Sequence, residues 1–293
     1  PFNIKYNVNL GVDKLDNYDS RFNNRVNTYE PLTLTAMTYG QTVAYNNSAS
    51  NRNLSFFQTL SWDKTIAGKH NFSVMGGTSY NSFDVSNFSA SIENVAGNSL
   101  SAINAGSLNP AVTGAITTDR LASYFGRANY SFNVKYLLEA VFRYDGSSRF
   151  ARGNRWGFFP GISAGWRIDQ ENFFNMKNID LLKLRASYGK LGNQAVPLYS
   201  YQNVVELGGD YSFVNTIQPG AAVESYNDPT IHWETTATYN LGLDVSAFNG
   251  KLTAEADVFK RRTSDILRQV NIPAQVGNLN GPQRNIGVVD NTG

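Results

Sequence analysis

Apolar residues occupy alternate positions over long stretches of this chain. In 2–12 they are Phe2, Ile4, Tyr6, Val8, Leu10 and Val12, with Asn3, Lys5, Asn7, Asn9 and Gly11 between them. The same period of two runs through 123–132, 136–145, 161–168, 181–190, 235–246 and 251–258. It is weaker in 52–63, where Phe57 falls on the wrong parity, and in 70–80. Period two is the signature of strands with one apolar and one polar face. With a further start near 285, the pattern predicts about ten strands, each close to the roughly 9–11 residues that cross a bilayer at a tilt.

The apolar face has two possible solvents: a protein core, as in a soluble sandwich, or lipid, as in an outer-membrane barrel. Connection lengths bear on the choice. "KTIAGK" (64–69), "FNVK" (132–135) and "AFNGK" (247–251) are tight, the last with the Asn-Gly pair favoured in type I′ hairpins, and 169–180 is intermediate. The alternate connections, 14–51, 81–120, 145–158, 190–233 and 262–284, are long. Such one-sided alternation is the habit of outer-membrane barrels.

Aromatic placement agrees. On the apolar parity, Trp62, Phe72, Tyr130, Phe132, Tyr136 and Trp166 lie near the short turns, and Tyr80, Tyr124, Phe142, Tyr144 and Tyr188 near the long loops. Leu, Ala, Gly, Val and Ile fill the band between. Two girdles around an aliphatic belt suit lipid, because amphipathic rings prefer the headgroup level. Arg127, Arg143, Arg167 and Arg185 all take the opposite parity, as they must if an Arg at the lipid midplane costs roughly 2–4 kcal/mol. The fold expected is all-β, an antiparallel up-and-down segment of a transmembrane β-barrel, with open edges near Phe2 and Ile286.

Composition sharpens this. Charged residues are 16% of the 293 and aromatics 13%, against about 25% charge in an average soluble domain. There is no cysteine, which excludes disulfides and thiol chemistry. A net charge of +2 without a long basic run gives no case for nucleic acid. The first residues already alternate like a strand, and the last, "NIGVVDNTG", stop in mid-pattern, so the chain reads as a fragment of something longer.

No catalytic constellation is present, and the chain is not expected to be an enzyme. His70 and His232 have no second ligand at metal spacing, so neither a metal nor another cofactor is expected. "DGSSRF" (145–150) lacks the strand-turn-helix setting of a nucleophilic serine. Leu137 and Val141 share the polar parity, which argues for something packing on that face.

The blocks "LASYFGRANYSFNVKYLLEAVFRYDGSSRFARGNRWGFFPGISAGWRI", "LLKLRASYGKLGNQ", "IHWETTATYNLGLDVSAFNGKLTAEADVFKRRTSDIL" and "NIGVVDNTG" closely resemble the barrel of SusC/RagA-like TonB-dependent transporters. The resemblance is strong over 119–293 and rests on pattern and "GKHNFSVMGGTSY" before that. It implies a partial β-barrel domain over 1–293, without the plug domain and remaining strands of a barrel of about 22. It also implies import of oligosaccharides or peptides across the outer membrane. The implied partners are a SusD-like surface lipoprotein, outer-membrane lipid and, through the missing plug region, the TonB complex.

Arg127, Glu139, Arg143, Arg167, Lys183 and Arg185 are then expected to face the lumen or plug. Candidate substrate contacts are the loop rings Tyr199, Tyr201, Tyr211, Phe213, Tyr226 and Trp233, in a loop expected to fold back as a hairpin of "YSYQNVVEL" and "YSFVNTI". Two other readings stay open: a passive porin or adhesin barrel, which would lack an upstream plug, and a soluble carbohydrate-binding β-sandwich, which would place its rings at strand centres.

Overall fold

The computed structural model describes residues 3–213, 216–223, 225–273, 275 and 280–293. The strands are β1 (Asn3–Asn23), β2 (Val26–Tyr29), β3 (Ala36–Tyr39), β4 (Val43–Ile66), β5 (His70–Glu93), β6 (Leu108–Phe132), β7 (Tyr136–Ser147), β8 (Trp156–Arg167), β9 (Ile179–Asn193), β10 (Glu206–Leu207), β11 (Tyr211–Phe213), β12 (Thr216–Gln218), β13 (Ala221–Ala222), β14 (Glu234–Ala247), β15 (Leu252–Gln269) and β16 (Gln283–Thr292). Two short 3₁₀ turns, Ile103–Ala105 and Ile168–Gln170, interrupt the succession of strands.

Ten strands form one antiparallel sheet in the order β1-β4-β5-β6-β7-β8-β9-β14-β15-β16, so β1 and β16 are its two ends. The expected start at Phe2 lies outside the described residues. The six short strands are not in this sheet; they pair among themselves within two of the long connections. Tight turns alternate with long connections as the pattern predicted. The β6–β7 turn holds Asn133 and Val134 in the left-handed region, with φ of 52° and 58°. That conformation suits asparagine but strains a β-branched valine.

By contacts the chain divides into two compact units: 1–10, 56–80 and 120–293 in one, 11–55 and 81–119 in the other. The second unit departs from the expected pattern of loops. Most of the expected loops 14–51 and 81–120 is strand, and β4, β5 and β6 run to 24, 24 and 25 residues. A ladder needs backbone pairing, not an apolar face, so where both faces are polar the period-two signal fades while the strand continues. Polar side chains pair in its place: Ser50 Oγ donates to Asp16 at 2.6 Å, Arg52 meets Asp84 at 2.8 Å and the Ser89 and Thr113 hydroxyls lie 2.7 Å apart.

In the first unit the register settles which side chains share a face, since residues directly opposite in an antiparallel pair point the same way. One continuous row runs Tyr130, Leu138, Ala164, Ala186, Leu241, Val258. Tyr124, Phe142, Trp166 and Leu184 fall on the same side. The girdle near the short turns is a run of touching rings. His70 lies 4.8 Å from Phe132, Phe72 lies 4.9 Å from Tyr130, and Phe132 lies 6.2 Å from Tyr136. Near the loops Tyr144 stacks on Trp156 at 4.8 Å, and Tyr188 meets Tyr239 at 4.9 Å.

Candidate functional site

Arg127, Glu139, Arg143, Arg167, Lys183 and Arg185 all lie on the polar side of the ladder. Arg127 is opposite Val141, Glu139 opposite Asn129 and Ser163, and Arg143 opposite Phe125 and Phe159. Arg167 is opposite Lys183, and Arg185 opposite Gly165 and Gly242. Each of these cations has a carboxylate. Arg127 meets Glu139 at 2.5 Å, Arg143 meets Asp145 at 3.0 Å, and Arg167 meets Asp169 at 2.7 Å. Lys183 and Arg185 share Asp244, at 3.9 and 2.7 Å, and Arg185 reaches on to Asp257 at 3.3 Å.

That second reach depends on Gly242, which sits on the strand between, directly opposite both Arg185 and Asp257. A Cβ there would stand in the path of the guanidinium. Partly exposed pairs of this kind contribute about 0–1 kcal/mol each, so the network sets a polar surface more than it holds the sheet together.

The same face carries an apolar patch. Phe57 stacks on Phe125 with ring centroids 5.3 Å apart, and the Arg143 guanidinium lies 5.7 Å from the Phe125 ring. Val141 is 36% exposed beside it on the strand that bears Arg143. Phe57 breaks parity because it belongs here; Phe125 went unnoticed in the sequence, hidden between Tyr124 and Gly126.

The loop end is built on a small core. Phe150, Phe159, Val196, Ile231 and Trp233 are buried together, with Leu121, Tyr201 and Leu267 packed against them. The Trp233 ring meets Phe150 at 5.4 Å and Phe159 edge-on at 5.3 Å, and its indole N–H donates to the Arg155 carbonyl at 2.8 Å. Arg149 donates to the Val196 carbonyl at 3.0 Å. This core ties the connection 194–233 to the one at 148–155. Trp233, a candidate substrate contact in sequence, is 6% exposed and packs the base of the loop. Asp228 adds a polar tie, accepting from Thr230 Oγ1 at 2.6 Å and from Arg284 at 2.9 Å. The Thr230 hydroxyl, ahead of the arginine, holds its carboxyl below the usual range.

Above this base the loop does form hairpin structure, but with a different pairing from the one expected. Tyr211–Phe213 pairs with Thr216–Gln218, and Glu206–Leu207 with Ala221–Ala222; Val214 and Asn215 lie outside the described residues. Gly208 N–H donates to the Gly220 carbonyl at 3.0 Å between the two ladders. Tyr211 and Phe213, 4.8 Å apart, are 65% and 61% exposed, Ile217 70% and Leu207 86%. Tyr226 is exposed, and Tyr199 and Tyr201 are half-buried. Of the six ring candidates, then, Tyr211, Phe213 and Tyr226 are open to a partner. Leu207 and Ile217 join them, aliphatic neighbours that a search for rings passes over.

At the opposite end, Glu171 gathers three donors: the Tyr136 hydroxyl at 2.7 Å, Trp166 Nε1 at 3.1 Å and Lys135 at 3.4 Å. The Tyr136 bond, then that of Trp166, lowers its pKa. Two residues earlier, Asp169 is held at about 2, chiefly by Arg167 and further by Gln170 and the Leu182 N–H. His70 Nδ1 lies 2.9 Å from the Tyr130 hydroxyl. Among the described residues no three His, Asp or Glu side chains converge as metal ligands.

A family model described as TonB dependent receptor-like, beta-barrel matches residues 2–293. The chain belongs to the TonB-dependent receptor-like β-barrel family. Its place is therefore the outer membrane. Among curated relatives of this TonB-dependent receptor segment, TonB-dependent receptor P26 of Formosa agariphila is 33% identical over 240 residues. TonB-dependent receptor SusC of Bacteroides thetaiotaomicron is 39% identical over 186. These alignments take in 80% and 60% of this chain but only 24% and 18% of the relatives. The solved RagAB peptide transporter superposes with a TM-score of 0.83 at 24% identity, over 99% of this chain and 31% of that one. At that identity the likeness speaks for the fold alone.

Proposed function

We propose that these residues form part of the wall and mouth of an energised outer-membrane importer of oligosaccharides or peptides, working with a SusD-like lipoprotein and TonB. In this reading the polar face, with Arg127, Glu139, Arg143, Arg167, Lys183 and Arg185, lines the lumen. The Phe57–Phe125 patch gives the plug an apolar seat. Tyr211, Phe213 and Tyr226 meet substrate or the lipoprotein. The observation that carries the reading is the family match over almost the whole chain; the exposed rings on a firmly based loop support the placement of contact there.

The loop suggests its own test. Excising 209–219 from the full-length receptor leaves Gly208 and Gly220 as a two-residue turn between Leu207 and Ala221, and Gly-Gly suits a hairpin of that length. The barrel is expected to insert normally, while oligosaccharide or peptide uptake, or co-purification of the lipoprotein, falls at least about tenfold, roughly 1.4 kcal/mol of lost contact. Full uptake with full lipoprotein recovery would remove the hairpin from the contact surface. Uptake that survives collapse of the proton gradient would point instead to a passive pore.

A further inference from the structure

The lipid-facing side carries a feature that transport does not use. Between the two girdles the sheet has a depression lined by Leu138, Ile162, Ala164, Ala186, Leu241 and Val258. Its floor is low because Ala164 and Ala186 stand directly opposite one another, between larger neighbours. Toward the loop end it is closed by the Tyr188–Tyr239 pair and by Lys260, which is directly opposite Tyr239.

One row further along the strands, Lys190 and Arg262 stand on either side of Ala237. Lys190, Lys260 and Arg262 therefore share the lipid-facing parity at the rim of the aromatic girdle. Two residues along a strand are roughly 7 Å apart, and two strands across roughly 10 Å, so the three can close on one phosphate-sized group. Arg262 has Asp290 at 3.8 Å; among the described residues Lys190 and Lys260 have no ion-pair partner. With Arg262 set against Asp290, and Asp265 beside Lys190 but not paired with it, Lys190 and Lys260 remain as unmatched cations at this rim. The polar face has no such surplus, since each of its cations named above is matched.

The geometry points to a lipid site: an acyl chain of a phosphorylated glycolipid of the outer leaflet lies in the depression over Ala164 and Ala186, and its phosphate is held by Lys260, Lys190 and Arg262. Apolar lining and cationic rim complement the two halves of such a molecule in the order in which it stands in a membrane. Neither half alone would select it, since any lipid offers chains and any anion offers charge.

The test uses the intact receptor, stripped of lipid in detergent, with bound lipid counted by native mass spectrometry. The probes are diphosphorylated lipid A and its dephosphorylated counterpart. Wild type is expected to retain the phosphorylated form preferentially. The triple variant Lys190→Gln, Lys260→Gln, Arg262→Gln should weaken that retention about a hundredfold, at roughly fivefold per cation near a charged lipid surface. Lys251→Gln, at the tight β14–β15 turn, should leave it unchanged. Ala186→Leu, which fills the depression, should weaken both lipids alike. Equal retention of the two lipids by wild type, undiminished retention in the triple variant, or full retention in Ala186→Leu would each overturn the site. So would displacement of the lipid by millimolar inorganic phosphate, which would mark a simple anion site.

Discussion

Gly242 leaves the space through which Arg185 reaches a second carboxylate. A Cβ at this position would lie 2.8 Å from the Arg185 guanidinium carbon. The obstructed groups are the ends of flexible side chains, so they can swing away at little cost. Gly242→Ala is therefore expected to fold with stability within about 1 kcal/mol of wild type, while Arg185 keeps Asp244 and loses Asp257. Urea unfolding checks the first point and a structure of the variant the second. Asp169 should matter more. Its side chain is 3% exposed and its pKa lies near 2 rather than 3.8. A depressed carboxylate stabilises the folded state above its unfolded pKa and loses that contribution as pH falls from about 4 to 2, at most roughly 2 kcal/mol here. Asp169→Asn should be less stable than wild type at pH 6, and the gap should close near pH 2. A gap of equal size at both pH values would show that the carboxylate's charge is not the cause.

At the scale of elements, the loop base and the loop tip obey different rules. Trp233 fills a buried site, where aromatic-to-alanine changes typically cost 3–5 kcal/mol. Because that core packs the connections 148–155 and 194–233 onto strands that their own ladders hold in place, the expected loss is local. Trp233→Ala should expose 194–233 to protease and speed its amide exchange, while β6 to β9 stay protected. The sequence made some of this visible and hid the rest for a physical reason. Strands with lipid on one face, such as β7 and β14, show their period because the two faces meet different solvents. The far reaches of β4, β5 and β6 carry polar side chains on both faces, so Ser48, Ser50, Asn87 and Ser89 read as loop although the ladder runs through them. "YSYQNVVEL" has rings and β-branched residues, which suggested a strand, but Ser200 is buried and the stretch 198–201 turns. The pairing passed instead to the segments on either side of Gly208 and Gly220, which face each other between the two short ladders. Of the candidate contacts, ring type was legible and exposure was not: nothing local separates buried Trp233 from open Tyr211.

At the scale of the whole molecule, one face of the sheet is expected to meet lipid and the other water. The chain has no cysteine, so single cysteines introduced into this segment meet no other thiol within it, and the unsubstituted full-length receptor supplies the background. Leu138→Cys and Leu241→Cys in the full-length receptor are expected to react with a membrane-soluble maleimide and resist a charged one. Glu139→Cys and Asn240→Cys, one residue away on each strand, should show the reverse preference. Reactivity that ignores this parity would contradict a wall one strand thick.

The core of Phe150, Phe159, Val196, Ile231 and Trp233 has a practical side. It fixes the loop at its root, and the chain pinches together again at Gly208 and Gly220, so whatever lies between these glycines is carried rather than needed for folding. Such an arrangement is a natural display position. A foreign epitope grafted between Gly208 and Gly220 would be presented at the cell surface on a rigid stem, and a library of such grafts could diversify while the barrel beneath it stays constant.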